Sequence, residues 1–275
     1  MQRPSATHHR APIMFLPPRQ PHLFLLGLLG CTLALPIPAL ANTPWTEVIE
    51  DAAFAPPPAE ASAQPTLTLF PKRSATLRYM GLFPATMTLQ RQKDQYEITM
   101  TATIPFRKMV WRSVGTVVNN QLRPALFQDI RNDQVYAQTT FDYAKKEIRQ
   151  GKTKDTPTVT PMTGQALDVF SLAWQLTLNQ GVMSQPFQVA TGKGEVQSHT
   201  PEGLRSERVE RATGTEGTVM SLQQISLPNK KNSHYGLAID VGYLPASFGF
   251  EDYALTIEHI TVDGKHYGPN GQVMP

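Results

Sequence analysis

Residues 95–104 decide the fold: Gln95-Tyr96-Glu97-Ile98-Thr99-Met100-Thr101-Ala102-Thr103-Ile104. Tyr96, Ile98, Met100, Ala102 and Ile104 alternate with Gln95, Glu97 and three threonines. A strand turns successive side chains to opposite faces, so this run has one apolar row and one Thr-rich polar row. Toward the N-terminus, Ala85, Met87 and Leu89 repeat the period, and Leu77 and Tyr79 repeat it again. Gly81 to Pro84 and Lys93-Asp94 supply turns between the runs. Residues 75–104 therefore read as three antiparallel strands sharing one buried face.

Toward the C-terminus the alternation breaks at Phe106-Arg107-Lys108-Met109, read as a crossover or a lip of the sheet. It resumes over 110–118, which includes Trp111. Asn119-Asn120 and Asn132-Asp133 mark turns, with strands expected over 125–131 and 135–143. Residues 145–148 pair onward before a polar loop, 151–160. The second half shows strands at 187–190, 195–199, 205–211, 218–227, 237–241 and 253–262. Gly192, Gly194, Gly214, Gly217, Pro228-Asn229 and Asp263-Gly264 punctuate them, and Asp263-Gly264 has the composition of a type I′ turn. Repeated strands about ten residues apart point to an antiparallel meander.

One helix interrupts this pattern, over about 166–178. Leu167, Phe170 and Trp174 fall at helical spacing with Val169, Ala173 and Leu176 beside them, while Asp168, Ser171 and Gln175 form a polar stripe. Thr163 is the expected N-cap, and Asn179-Gln180-Gly181 the expected stop. The apolar face is wide and must bury against something, and the inner face of a curved sheet is the available partner. The fold class expected is mainly β: a strongly curved antiparallel sheet, or half-open barrel, with this one helix packed on it.

Charge and cysteine usage bound the function. The chain has 275 residues, with 25 Lys and Arg against 22 Asp and Glu. Residues 1–41 hold Arg3, Arg10 and Arg19 and no acid. Without them the chain carries equal numbers of basic and acidic residues, and no long-range field to attract nucleic acid. The single cysteine, Cys31, lies in the same segment. A mature chain starting after it has neither disulfides nor thiolate chemistry.

That segment has the parts of a secretory signal: Arg19, an apolar run from His22 to Leu35, and Ala39-Leu40-Ala41, with cleavage after Ala41. The run is shorter than the roughly 20 residues of a membrane span. The polar residues ahead of it make Met14 an alternative start to Met1. Leu28-Leu29-Gly30-Cys31 resembles a lipobox, so lipidation of Cys31, with outer-membrane anchoring, is the alternative processing. Residues 42–65, with Ala55-Pro56-Pro57-Pro58-Ala59, read as an extended flexible linker. Residues 66–264 form the single β domain and 265–275 a C-terminal tail.

No familiar catalytic arrangement emerges. His199, His234, His259 and His266 lie outside any metal-ligand spacing, although Glu258-His259 and His266 could meet in space. No G-x-S-x-G or S-x-x-K run points to an activated serine. Gly192-Lys193-Gly194 is a hairpin turn rather than a phosphate cradle. Glu207 and Glu210, among Arg205, Arg208 and Arg211, read as a solvated strand face and not as a hydrolytic pair. Met100, Trp111, Phe127, Phe170 and Trp174 are the candidate lining of an apolar cleft, since methionine and aromatic side chains suit irregular apolar ligands.

The order of short motifs resembles that of the DUF3108 family, exported bacterial proteins of unknown function. The resemblance rests on Gly81 to Ala85 as a G-x-x-x-A turn, Leu122-Arg123-Pro124, and the helix near 166–178. It continues with Thr215-Glu216-Gly217-Thr218 and with the strand Leu237-Ala238-Ile239-Asp240-Val241-Gly242-Tyr243-Leu244-Pro245. It spans about 75–262. It implies a periplasmic β-rich domain and brings no catalytic residues and no cofactor. The expected function is a non-enzymatic envelope protein holding a lipid or a lipidated partner between sheet and helix. The alternative is a structural or assembly factor that binds another envelope protein through a sheet edge.

Overall fold

The computed structural model describes residues 70–105, 107–213, 218–228, 233–250 and 253–275. The expected leader, the whole of the linker and the residues on to 69, Phe106, and residues 214–217, 229–232 and 251–252 lie outside the described residues. The opening stretch forms β1 (Ser74–Gly81), β2 (Ala85–Gln92) and β3 (Gln95–Ile104), antiparallel as expected. Leu77 stands opposite Met87, and Met87 opposite Met100, so the apolar rows face the same side. The meander continues through β4 (Arg107–Val118), β5 (Gln121–Arg131), β6 (Gln134–Asp142), β7 (Glu147–Lys152) and β8 (Thr158–Pro161). Then come β9 (Gln165–Asp168), α1 (Val169–Leu178), β10 (Phe187–Ala190) and β11 (Gln197–His199). The second half is β12 (Arg205–Ala212), β13 (Val219–Ser226), β14 (His234–Ala238), β15 (Leu244–Phe250), β16 (Tyr253–Val262), β17 (Lys265–Tyr267) and β18 (Val273–Met274).

Among the described residues, fifteen strands make one antiparallel sheet. Its path runs β12-β13-β14-β15-β16-β1-β2-β3-β4-β5-β6-β7-β8, with β17 and β18 added beside β16. The two halves of the chain are joined where β1 pairs with β16. The path does not close on itself and leaves β12 and β8 as edges. A small second sheet has the order β11-β10-β9, with β9 and β10 parallel.

The large sheet is strongly curved, and three rings measure it. Phe127 on β5 and Phe248 on β15 both pack on Phe170 of α1, with ring centroids 6.2 and 6.4 Å away. They are therefore within about 13 Å of each other. Six strand steps separate them along the sheet, and at about 4.8 Å per step a flat sheet would hold them about 29 Å apart. The sheet wraps around the helix, which lies on its concave face. This wrapping explains why the expected polar stripe, Asp168, Ser171 and Gln175, is wholly buried instead of facing water.

One irregularity allows a proline inside the sheet. The register between β4 and β5 shifts between Val114 and Gly115, where Gly115 faces Pro124. A Cβ on Gly115 would lie 2.2 Å from the Arg123 carbonyl oxygen, so the backbones approach too closely for any side chain. Pro124 lies beyond the last pair that β5 makes with β6, so its missing N–H disturbs no ladder there.

Several expectations are corrected. The helix starts at Val169, not near 166, because Ala166 and Leu167 extend as β9 and pair with Gln188 and Val189. Its N-cap is Asp168, whose side chain accepts from the Phe170 and Ser171 N–H groups. Thr163 instead gives its N–H to Gln188 Oε1 at 2.8 Å. The stop holds as expected: Asn179 is the C-cap, and the Gly181 N–H closes on the Leu176 carbonyl. Residues 107–109 belong to β4, with Met109 opposite Arg131. The polar loop contains most of β8, and the strand expected to 241 ends at Ala238 in a short 3-10 turn over Ile239–Val241. Residues 265–275 carry two short strands.

Candidate functional site

The expected cleft lining falls on the concave face, but most of it is packed. Met100, Phe127, Phe170 and Trp174 are each no more than 6% exposed. Trp174 sits over β2, where its indole N–H donates to Met87 Sδ at 3.2 Å, and its ring meets Phe70 edge-on. Phe170 is the hub of the aromatic group, touching Trp111, Phe127 and Phe248. Trp111 differs from the other four. It stands opposite Met100 on the same face, with its ring centroid 6.1 Å from that of Phe170, yet it is only partly buried. Ala102 on β3, Val169 at the start of α1 and Leu255 on β16 are also part-exposed apolar residues packed against this core. Leu255 shares the face of its partner Phe248. The helix thus covers the centre of the concave face and leaves an apolar margin at its own N-terminal end.

A polar cluster lies beneath that end. Asp168 is fully buried. One carboxylate oxygen accepts from the Phe170 and Ser171 N–H groups at 3.0 Å each, and the other accepts from Ser113 Oγ at 2.6 Å. Ser171 Oγ accepts in turn from the Asp168 N–H, completing a capping box. Burial pushes the Asp168 carboxyl above its ordinary value, against the pull of these hydrogen bonds. The Tyr96 hydroxyl is buried beside Ser113 and Ser171 without reaching hydrogen-bond geometry to either. Tyr235 donates to the Val169 carbonyl at 3.1 Å. Both Asp168 oxygens are engaged by its own helix and by β4, which is the work of a structural cap. At the other end of α1, Gln175 bridges to β5 and to the preceding turn, accepting from the Leu122 N–H and donating to the Asn120 carbonyl.

The remaining candidates separate. His259 lies 3.8 Å from Glu258, and His266 pairs with Thr261. No group of three His, Cys, Asp or Glu is placed to hold a metal among the described residues. On β12, Glu207 accepts from Gln224 and Glu210 from Ser221, with Arg208 and Arg211 bonded to the same β13 side chains. They form a solvated face, as read. Lys193 stands 3.8 Å from buried Asp129, which Arg131 holds through two hydrogen bonds. No described helix is long and apolar enough to cross a membrane.

No protein family, no curated protein and no solved structure matches the chain.

Sequence reasoning did not find the surroundings of His199. It lies on β11, 6% exposed, with neither ring nitrogen hydrogen-bonded among the described residues. It stacks on Phe187 of β10, centroids 5.3 Å apart, and borders a pocket of about 130 Å³. No local spacing marks such a site, because its walls come from β10, β11 and the segment leading into β9.

Proposed function

We propose that this is a non-enzymatic, exported protein of the cell envelope that binds an apolar ligand, a lipid or a lipidated partner. The binding surface is the margin of the concave face at the N-terminal end of α1. The observation that carries this reading is Trp111, a large apolar side chain on the concave face that the helix leaves part-exposed. Met100, Phe127 and Phe170 give it a rigid floor, and Ala102, Val169 and Leu255 extend the apolar surface. An acyl chain laid there extends the existing core instead of displacing it, gaining about 0.8 kcal/mol per methylene removed from water. The signal-like segment ending at Ala41 and the resemblance to DUF3108 support export to the periplasm. Lipidation at Cys31 is the alternative route, and would tether the protein to the outer membrane.

The edge-binding reading ranks second. β12 is an open edge but carries Arg205, Glu207, Arg208, Glu210 and Arg211. β8 is four residues long and ends in Pro161. Charges, shortness and proline each hinder the addition of a further strand.

Tryptophan quenching tests the first reading. In a Trp45→Phe background, a bromine-labelled fatty acid is expected to quench Trp111 saturably while buried Trp174 is spared. Trp111→Ala should remove that quenching and weaken binding about tenfold. Absence of saturation, or equal quenching in the Trp111→Ala protein, would contradict it.

A further inference from the structure

A cationic cluster stands next to the apolar margin on the concave face, and its geometry points to a headgroup subsite: we infer that the ligand is an anionic amphiphile, an apolar chain ending in a phosphate or a carboxylate. This rests on the reading of the margin as an apolar binding surface and adds the chemistry of the ligand's polar end.

Strand pairing sets the two surfaces side by side. Between β4 and β5, Trp111 stands opposite Asp129 and Met109 opposite Arg131, so these four side chains share one face. Asp129 is 3% exposed, and Arg131 holds it through Nε and Nη2, at 3.1 and 2.8 Å. The N–H groups of Arg131 Nη1 make no hydrogen bond among the described residues. In β6, Tyr136 is the extra residue of a bulge between Val135 and Ala137, a device that re-aims a side chain. Its ring lies against the guanidinium, with Arg131 Cζ 3.6 Å from the centroid. Lys152 Nζ, from the end of β7, and Lys193 Nζ, from the turn between β10 and β11, are each 5.9 Å from the same centroid. The turn that carries Lys193 is pinned to the sheet. Gly192 approaches Phe127 so closely that a Cβ there would lie 3.1 Å from the ring, and Gln150 Nε2 donates to the Gly194 carbonyl at 2.7 Å.

Three cations thus converge on one ring with a single carboxylate among them. Arg131 already occupies that carboxylate. Lys193 reaches it only at 3.8 Å, and Lys152 has no ion-pair partner among the described residues. Like charges gathered in this way repel one another, and a bound anion relieves the repulsion. The cationic heads are open to a ligand: the Arg131 and Lys193 side chains are 21% and 51% exposed, and Lys152 is exposed. A guanidinium and two ammonium groups suit the oxygens of a phosphate or carboxylate, with which they form charge-assisted hydrogen bonds. Because Asp129 neighbours Trp111 directly, a chain lying on the Trp111 margin delivers its head to this cluster.

The test uses residues 42–275 in the Trp45→Phe background and follows the blue shift of Trp111 emission. The probes are dodecyl phosphate and dodecyl maltoside, both below micelle formation, with inorganic phosphate as competitor. Dodecyl phosphate is expected to bind about tenfold more tightly than the maltoside, a preference that shrinks as salt is raised. Lys152→Gln with Lys193→Gln should bring the ratio of the two affinities close to one, and arginine at both positions should restore it. Both side chains are exposed, so these exchanges leave the core intact. Equal affinity for the two amphiphiles, or a preference that survives in the glutamine variant, would overturn the inference and leave the apolar margin standing. Inorganic phosphate that displaces dodecyl phosphate at equal concentration would overturn it in favour of a free-anion site. No saturable shift with either amphiphile would overturn the headgroup subsite and the margin together.

Discussion

Asp168 and His199 are buried titratable side chains whose effects on stability have opposite signs. An aspartate in the unfolded chain titrates near about 3.9. The buried Asp168 carboxyl holds its proton to higher pH, so the native state binds more protons between the two values. Its contribution is complete below the unfolded value and is lost as the pH rises through the folded one. His199 runs the other way. Burial pushes its imidazole below the ordinary value of about 6.5. The unfolded chain takes up that proton first, so stability is lost as the pH falls from there through the folded value. Urea unfolding across pH 3–8 should separate the two. Asp168→Asn keeps a capping oxygen and should flatten the loss on the rising side, gaining on the native protein as the pH increases. His199→Phe should flatten the loss on the falling side. Curves that stay parallel to those of the native protein would contradict the assignments. Neither position was identifiable as a buried group in the sequence. Asp168 looked like part of an exposed stripe because helical spacing cannot show that a sheet surrounds the helix. His199 lacked any spacing signal because its neighbours come from separate segments.

At the scale of elements, the Asp263-Gly264 turn does more than reverse the chain. Asp263 adopts φ 49° and Gly264 φ 81°, as the I′ composition implies. The Asp263 carboxylate also accepts from the N–H groups of Lys72, Arg73 and Ser74, at 2.9, 2.7 and 3.0 Å. Burial works to raise its pKa, but these three donors hold it below the ordinary range. They fasten the start of β1 beside β16, where the two halves of the sheet meet. Asp263→Ala is expected to cost about 1–2 kcal/mol in denaturant unfolding and to speed amide exchange at 72–74 first. Unchanged exchange there would show that the ladder alone holds the junction. The strands around this junction were legible because period-two alternation over 75–104 and 253–262 meets one buried and one wetter face. Where both sides are covered the signal fails. Ala166 and Leu167 form a strand running directly into α1, and a continuous apolar run does not distinguish the two. β15, Leu-Pro-Ala-Ser-Phe-Gly-Phe, carries a proline and a glycine that argue against a strand by composition. Its pairing with β14 and β16 overrides that preference.

At the scale of the molecule, the ten-residue helix α1 organises a sheet of fifteen strands among the described residues. Phe170 and Trp174 touch strands far apart along the sheet path, so the curvature and the core form together. The expected curved sheet with a packed helix is the architecture found. The expected cleft lining was legible as apolar residues on one face, but the sequence did not show which of them the helix would bury. Met100, Phe127, Phe170 and Trp174 became floor, and Trp111 remained at the margin. The central claim is that this margin holds an apolar ligand in the envelope. Native mass spectrometry of residues 42–275 purified from a periplasm, followed by organic extraction, tests it most directly. The account predicts a discrete mass excess that extracts as lipid and disappears in Trp111→Ala. A bare mass at the calculated value, with a protein partner recovered by cross-linking in cells and no lipid, would contradict it.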